Sequence, residues 1–297
     1  MTIEVTQLGA AEPRDRHVAI GTFDGVHVGH RAVIEGADTV LTFEPHPMKV
    51  IHAEAAPKLI MPFEVKRDVI DGLGVSELVV IPFDREFSRI PADGFIDQVL
   101  IGKLGAKEVS IGENFRFGAK AKGTPEMLAE RDEFVTRTVP LVEVAGETVS
   151  STRVRALIAA GDVEQAMDCL GAPFIFEGEV VSGDRRGREL GFPTANLVPD
   201  DELVTPGHGV YAAFANGHPA AVSVGIRPTF EDGRGLLIEP HLIDFDGDLY
   251  GQNLRVAFVK RLRGERRFAG VEELIAAANR DVDEAREVLA RFRGPQG

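Results

Sequence analysis

The feature that most constrains the fold of this chain is a change in its hydrophobic pattern at residues 171–173, Gly-Ala-Pro. Before that point, short apolar runs alternate with helix-like stretches, which predicts βαβ units and a parallel sheet covered by helices on both faces. After it, strand-like runs follow one another across Gly-, Pro- and Asp-containing turns, as in an antiparallel barrel or sandwich. We therefore expect an α/β domain over residues 1–171 and a β domain over residues 172–297.

The individual elements follow from the same pattern. The predicted strands of the first domain are His17–Phe23, Thr39–Phe43, Glu77–Phe83, Lys107–Ile111 and Phe134–Val144. Its predicted helices are Phe63–Leu73, Ala92–Leu104, Pro125–Arg131, Arg153–Ala160 and Val163–Leu170. The predicted strands of the second domain are Phe174–Val181, Gly209–Phe214, Ala220–Val224, Leu236–Phe245 and Leu254–Phe258. An amphipathic helix, about Val271–Phe292, closes the chain, because its apolar residues recur at helical spacing.

Composition and charge narrow the classes of function. Acidic residues outnumber basic ones by 47 to 33, and the formal net charge of −14 disfavours a protein that coats nucleic acid or an anionic membrane. No apolar run approaches the ~20 residues of a bilayer-spanning helix, and residues 1–7 lack the pattern of a secretory signal. The one cysteine, Cys169, rules out an internal disulfide framework, and we expect it in the core. These features predict a cytoplasmic protein without nucleic-acid or membrane partners, and they leave a homo-oligomer open.

The first candidate site follows the predicted strand His17–Phe23. There the sequence reads Gly21-Thr-Phe-Asp-Gly-Val-His27-Val-Gly-His30 before it becomes helical. The two histidines are three residues apart at a predicted helix N-terminus, so their imidazoles project to one side, where backbone N–H groups also favour an anion. Glycines there allow a ligand to approach the backbone closely. The pattern predicts a phosphate site, and a zinc site is the weaker alternative because no third ligand is placed to complete it.

This stretch resembles the HxGH nucleotidylyltransferases, and residues 149–155, Val-Ser-Ser-Thr-Arg-Val-Arg, resemble their second motif, which holds ATP phosphates. Residues 41–47, 82–87 and 112–118 narrow the resemblance to the adenylyltransferase half of the bacterial bifunctional riboflavin kinase/FMN adenylyltransferases, or FAD synthetases. The resemblance implies a Rossmann-like first domain in which His27 and His30 act in catalysis by binding triphosphate. It also implies substrate or nucleotide binding by Gly21, Phe23, Asp24, Asn114, Ser151, Thr152 and Arg155.

A second candidate site opens the β domain. Residues 183–196 read Gly-Asp-Arg-Arg-Gly-Arg-Glu-Leu-Gly-Phe-Pro-Thr-Ala-Asn, and such glycines and arginines can surround phosphates although the chain has no P-loop. Thr194 and Asn196 are two apart, so on an extended segment they point the same way. Their oxygens suit Mg²⁺ when ATP phosphates complete its shell. Without further context, the sequence Pro-Thr-Ala-Asn could also form an ordinary turn without a binding function.

The same run resembles the flavokinase motif, and residues 209–211, 225–230, 244–251 and 254–256 are similar to the riboflavin kinase module, a Greek-key β-barrel with a C-terminal helix. The resemblance implies substrate or nucleotide binding by Gly183, Arg188, Gly191 and Pro193, and Mg²⁺ held with ATP by Thr194 and Asn196. It also implies that Glu239 is the general base that accepts the proton of the flavin hydroxyl. A solvent-facing strand residue is the alternative for Glu239.

Together the resemblances predict an enzyme with two activities. The β domain would phosphorylate riboflavin to FMN with ATP and Mg²⁺, and the α/β domain would transfer AMP from a second ATP to FMN, giving FAD and pyrophosphate. The flavin is then both substrate and product. One departure from the family favours an alternative, because only about eight residues separate His30 from the strand near Thr39, and the crossover helix must be short, about Gly29–Gly36. In that alternative, the chain is a riboflavin kinase with a catalytically silent N-terminal module that binds flavin or nucleotide or regulates the kinase.

Overall fold

The computed structural model describes residues 2–181, 194–226 and 235–293. The chain divides into two compact units, one of Met1–Pro57 with Phe63–Ser150 and the other of Lys58–Pro62 with Ser151–Gly297. The domain boundary near residue 171 stays a prediction.

The first unit contains a parallel sheet with connecting helices. Its strands are β1 (Glu4–Gln7), β2 (Arg16–Ile20), β3 (Thr39–Glu44), β4 (Glu77–Pro82), β5 (Ala106–Gly112) and β6 (Val135–Val139), followed by a hairpin of β7 (Glu143–Val144) and β8 (Glu147–Thr148). Its helices are α1 (Val28–Ile34), α2 (Pro47–Ile51), α3 (Phe63–Asp71), α4 (Ala92–Gly94, continued as a π-helix over Phe95–Lys103) and α5 (Pro125–Ala129). The short crossover helix predicted after His30 is therefore present as α1.

The strand order of the main sheet is β1-β4-β3-β2-β5-β6, and every neighbouring pair is parallel. The chain runs from β2 through β3 to β4 on one side and then crosses back to form β5 on the other side of β2. This confirms the predicted Rossmann-like arrangement. It also creates a point between β2 and β5 at which the direction of winding reverses, where sheets of this kind bind their ligands.

Apolar residues of the central strands form part of a buried core. Leu41 of β3, Val79 and Ile81 of β4 and Ile96 of α4 are fully buried in one core cluster. An ion pair interrupts this apolar interior. The Arg16 guanidinium Nε donates to Glu77 Oε2 at 2.8 Å, and 4% and 5% of the two residues are exposed.

The second unit is a closed barrel with helices against it. Its strands are β9 (Phe174–Val181), β10 (Asn196–Leu197), β11 (Gly209–Ala215), β12 (His218–Ile226), β13 (Leu236–Leu242) and β14 (Asn253–Arg263). Its helices are α6 (Ser151–Ala160), α7 (Val163–Leu170) and α8 (Val271–Arg291). Within the described residues, the strands close in the order β10-β13-β12-β11-β14-β9, and all neighbours are antiparallel. The predicted barrel and its closing helix are confirmed.

Aromatic residues fill part of the barrel interior. Phe174 and Phe258 stack with ring centroids 5.9 Å apart, and Tyr211 meets Phe258 edge to face at 5.3 Å. Ala285 and Leu289 of α8 pack against Ala212 and nearby apolar residues of the barrel. Cys169 of α7 is fully buried, as predicted for a core cysteine. No helix in the part of the chain that the structure describes is long and apolar enough to cross a membrane.

Candidate active sites

The first candidate site lies where β2 and β5 end, at the reversal point of the parallel sheet. His27 and His30 follow β2, while Asn114 follows β5 by two residues and is exposed. Because the carboxyl ends of parallel neighbours meet at one edge, the topology brings the loops that carry these three residues to the same edge of the sheet. The sequence motifs therefore coincide with the place that the fold provides for a ligand.

An unusual turn connects β2 to α1. Phe23, Gly25 and Val26 all have positive φ angles, of 50°, 86° and 42°. Phe23 is buried, and a Cβ on Gly21 would lie 3.0 Å from two carbons of its ring. The Phe23 ring also meets the His30 imidazole edge to face at 5.3 Å. Gly21 and Phe23 thus shape the turn that carries the histidines, and their binding of substrate stays a prediction.

The two histidines stack on each other. Their ring centroids are 3.6 Å apart and their planes differ by 14°. His27 caps α1, because its Nδ1 accepts the backbone N–H of His30 at 3.2 Å. A neutral His27 ring therefore carries its proton on Nε2, which can donate to an anion. A Cβ on Gly29 would lie 3.2 Å from His27 Cε1, so glycine allows the ring to occupy this position.

A buried ammonium group that belongs to none of the sequence motifs lies at the same edge of the sheet. Lys66 of α3 has its Nζ 3.5 Å from the Thr22 carbonyl oxygen and 3.7 Å from Glu44 Oε2. Burial lowers the pKa of Lys66, and the negative charges of Glu44 and Asp24 oppose that effect. Asp24 itself is buried. The available signal was the spacing, because Lys66 precedes Ile70 by four residues and so lies in the apolar stripe of α3.

The candidate binding residues of the second HxGH-type motif, Ser151, Thr152 and Arg155, lie in the first two turns of α6, in the second unit. Ser151 is half-buried and Thr152 is exposed in the first turn of the helix. One turn later, the Arg155 Nε donates to the Lys58 carbonyl oxygen at 2.7 Å. The predicted contacts of Ser151, Thr152 and Arg155 with ATP stay predictions.

The second candidate site lies on two adjacent barrel strands. Leu197 of β10 is paired with Ile238 of β13, and the Ala195 N–H donates to the Pro240 carbonyl oxygen at 2.9 Å. This antiparallel register places Asn196 directly opposite Glu239, and residues directly opposed in this way share one face of the sheet.

Thr194 precedes Asn196 by two residues and is half-buried. The structure therefore brings Asn196 and Glu239 together, and Thr194 lies two residues before the start of β10. The other residues predicted for this site, Gly183, Arg188, Gly191 and Pro193, lie outside the described residues.

Comparison with known proteins assigns both halves of the chain. The family model for FAD synthetase matches residues 10–153, and that for riboflavin kinase matches residues 170–289. The chain is 35% identical over 292 residues to the bifunctional riboflavin kinase/FMN adenylyltransferase of Listeria monocytogenes, with 93% of each covered. It is 37% identical over 289 residues to the protein of the same name from Escherichia coli K12, with 91% of each covered.

A solved structure also has a similar fold. It comes from Streptococcus pneumoniae, is described as a macrolide-efflux protein, and superposes with a TM-score of 0.85 at 30% identity. The match covers 96% of this chain and 99% of that one.

The parallel sheet with its stacked histidines and the barrel with Asn196 opposite Glu239 define a two-domain nucleotide-dependent transferase. The matches to both halves allow a narrower statement. The chain belongs to the family of bifunctional riboflavin kinase/FMN adenylyltransferases, with a FAD synthetase domain followed by a riboflavin kinase domain. The predicted family, fold and enzyme class are confirmed. A catalytically silent N-terminal module is not favoured, because the FAD synthetase model matches through the short crossover.

Proposed function

We propose that the chain catalyses two consecutive transfers from ATP: the barrel phosphorylates riboflavin to FMN, and the parallel-sheet domain adenylylates FMN to FAD. The observation that carries this proposal is the succession of two family models, one for each step, along a single chain. The substrates and products are riboflavin, FMN, ATP, FAD and pyrophosphate. All of them are small molecules, so the reactions need neither nucleic acid nor a membrane, and we place them in the cytoplasm.

In the kinase step, Glu239 acts as the general base. Its carboxylate accepts the proton of the terminal riboflavin hydroxyl as that oxygen attacks the γ-phosphorus of ATP, and ADP leaves. The position opposite Asn196 supports this role, because it places the carboxylate beside the side chains predicted to hold the nucleotide. In the segment 183–193, we assign Gly183, Arg188, Gly191 and Pro193 to the phosphates and flavin.

The donor set at the start of β10 fits a magnesium ion bound together with ATP. Thr194 and Asn196 offer neutral hard oxygens two residues apart, which point the same way if the segment is extended, and such a set needs phosphate oxygens to complete six ligands. When bound, Mg²⁺ supplies positive charge that offsets the charge of the phosphates. The side chains themselves orient the nucleotide toward Glu239.

In the adenylylation step, a phosphate oxygen of FMN attacks the α-phosphorus of ATP, and pyrophosphate leaves. This transfer needs alignment and charge stabilisation and no protein nucleophile. We assign the pyrophosphate oxygens to His27 and His30, because His27 Nε2 can donate a hydrogen bond when Nδ1 is engaged with the backbone. Asn114 contacts flavin or nucleotide. The remaining binding positions are those predicted from the sequence, Gly21, Phe23, Asp24, Ser151, Thr152 and Arg155.

A product assay tests the proposal. Purified protein receives riboflavin, ATP and Mg²⁺ in one reaction and FMN, ATP and Mg²⁺ in another, and the flavins are separated by chromatography. We expect FMN and FAD from the first reaction and FAD from the second. No FAD in either reaction would contradict the adenylylation step, and no FMN from riboflavin would contradict the kinase step. A parallel reaction with EDTA in place of Mg²⁺ should give neither product.

A further inference from the structure

Helix α1 carries the histidine pair but is too short to be stable by itself. It has seven residues, Val28–Ile34, and only four more lead from it to β3. Isolated helices below about 12 residues are marginal in water, so neighbouring groups must hold this one in place. His27 and His30 lie at its N-terminal end. Because the helix is only two turns long, a shift of its C-terminal end would also move these two residues, so the contacts of that end affect their positions.

Arg137 of β6 contacts that C-terminal end. Its Nη2 lies 3.1 Å from the carbonyl oxygen of Ala32, 3.0 Å from that of Val33 and 2.7 Å from that of Glu35. The last carbonyls of a helix have no partner within the helix and carry its negative dipole end. A guanidinium group supplies both the missing donors and the complementary charge.

Two further side chains orient this guanidinium. Arg137 Nε donates to the hydroxyl oxygen of buried Ser110 at 2.9 Å, and this oxygen is 2.7 Å from His17 Nε2. His17 Nδ1 lies 2.9 Å from the Gly36 carbonyl oxygen, in the loop that follows α1. With the Ser110 hydroxyl donating to Nε2, Nδ1–H donates to Gly36, and every group in this series has a partner. Side chains of β2, β5 and β6 thus hold both α1 and its return loop.

We propose that Arg137 is a positioning residue for adenylyl transfer, which holds the short helix α1 and thereby the stacked imidazoles of His27 and His30. The proposal rests on the roles assigned to these two histidines under the proposed function. Arg137 contacts backbone atoms and Ser110, and it acts through the helix on the reaction. A displacement of about 1 Å at a reacting group can lower a rate about a hundredfold. The contacts of Arg137 with the end of α1 can therefore affect the rate although they are distant from the reacting atoms.

The variant Arg137→Met tests the proposal, because it keeps much of the side-chain volume and removes the donors. We expect kcat for FAD formation from FMN to fall about tenfold to a hundredfold, with a change in KM for ATP of less than about threefold. Riboflavin phosphorylation by the same sample should not change. Arg131→Met is the matched control, since Arg131 pairs with Asp97 and Glu133.

A second measurement follows the imidazoles directly and does not depend on activity. The ring ¹⁵N signals of His27 and His30, assigned with His27→Ala and His30→Ala, should shift in Arg137→Met and stay in place in Arg131→Met. Unchanged signals would overturn the proposal, as would an unchanged kcat or an equal loss of kinase activity. Wild-type protein that forms no FAD from FMN would instead contradict the proposed function, and the histidine signals would still test Arg137.

Ser110→Ala provides the test if Arg137→Met does not fold. This variant removes the oxygen that accepts from Arg137 Nε and leaves the guanidinium in place. We expect a smaller fall in kcat for FAD formation, about threefold to tenfold, with unchanged kinase activity and shifted histidine signals. A wild-type kcat with wild-type histidine signals would overturn the proposal.

Discussion

The Lys66 ammonium lies 3.7 Å from the Glu44 carboxylate, with only 7% of the lysine exposed. The same nitrogen reaches the Thr22 carbonyl oxygen in the turn after β2. Lys66 of α3 therefore contacts the turn after β2 and the end of β3. The turn after β2 leads directly into the histidine motif. Burial disfavours its charge and lowers its pKa, and the nearby carboxylates favour the charge. A buried ammonium group costs free energy unless nearby charges compensate it, and we expect the site to use its charge.

We predict that Lys66→Met lowers FAD formation from FMN at least about tenfold, because it removes a buried positive charge beside the turn that carries the histidines. Riboflavin phosphorylation should be unchanged. Lys107→Met is the control, since Lys107 is exposed and its nearest acidic partner, Asp15, is 4.0 Å away. Initial rates of both reactions check this, and equal FAD formation by the two variants would contradict it.

His30→Ala should lower FAD formation about a hundredfold or more, because one donor to developing negative charge is commonly worth that much. The kinase rate should stay at the wild-type value, since the barrel strands do not contain this residue. His52→Ala is the matched control, because His52 is exposed and follows α2. The initial rates of FAD formation and of FMN formation, measured by chromatography for both variants, check this prediction. Wild-type FAD formation by His30→Ala would remove the imidazole from the proposed mechanism.

Glu239→Gln should lower FMN formation about a hundredfold to ten-thousandfold, because the amide cannot accept the proton of the attacking hydroxyl. FAD formation from supplied FMN should continue at the wild-type rate. Glu164→Gln, an exposed position on α7, is the control for a lost negative charge. If Glu239→Gln lost both activities while its circular dichroism spectrum stayed native, the assignment of the two reactions to separate sites would be wrong.

The regular elements could be predicted well where they are long or strongly patterned. Val163–Leu170 and Phe174–Val181 agree with the structure at both ends. Strand β1 was not predicted, because it has only four residues and most of them are exposed. Strand β10 was not predicted either, since two residues are too few to show an alternation of apolar and polar side chains.

The candidate sites divide in the same way. The histidine motif is evident in the local sequence, whereas Glu239 follows from the resemblance to the riboflavin kinase module. The register of β10 and β13 then brings Asn196 opposite Glu239. Lys66 and Arg137 could not be assigned, because the contact of Lys66 with Thr22 spans 44 positions of the chain and the contacts of Arg137 with the end of α1 span more than 100. The role of a side chain that contacts the end of another element can be recognised only when the strand order is known.

The buried pair of Arg16 and Glu77 predicts how the first unit responds to acid. Burial alone would raise the pKa of Glu77, but the hydrogen bond and positive charge of Arg16, the hydrogen bond of Thr6 and the charge of Arg14 together outweigh this effect and lower it. A second guanidinium, that of Arg14, lies 2.8 Å from the same carboxylate. The stabilisation is therefore complete above the pKa of an unfolded glutamate, about 4.3, and is lost as the pH falls through the lower pKa of the folded state.

Glu77→Gln should lower the free energy of unfolding of the first unit at about pH 7 by roughly 3 kcal/mol or more, because it leaves the Arg16 guanidinium buried without its counter-charge. The difference from wild type should shrink as the pH falls below about 4, where protonation of Glu77 progressively removes the same interaction. Urea unfolding followed by far-UV circular dichroism at several pH values checks this. Glu130→Gln, at an exposed position after α5, is the control. A difference that stayed constant with pH would contradict the role given to the ion pair.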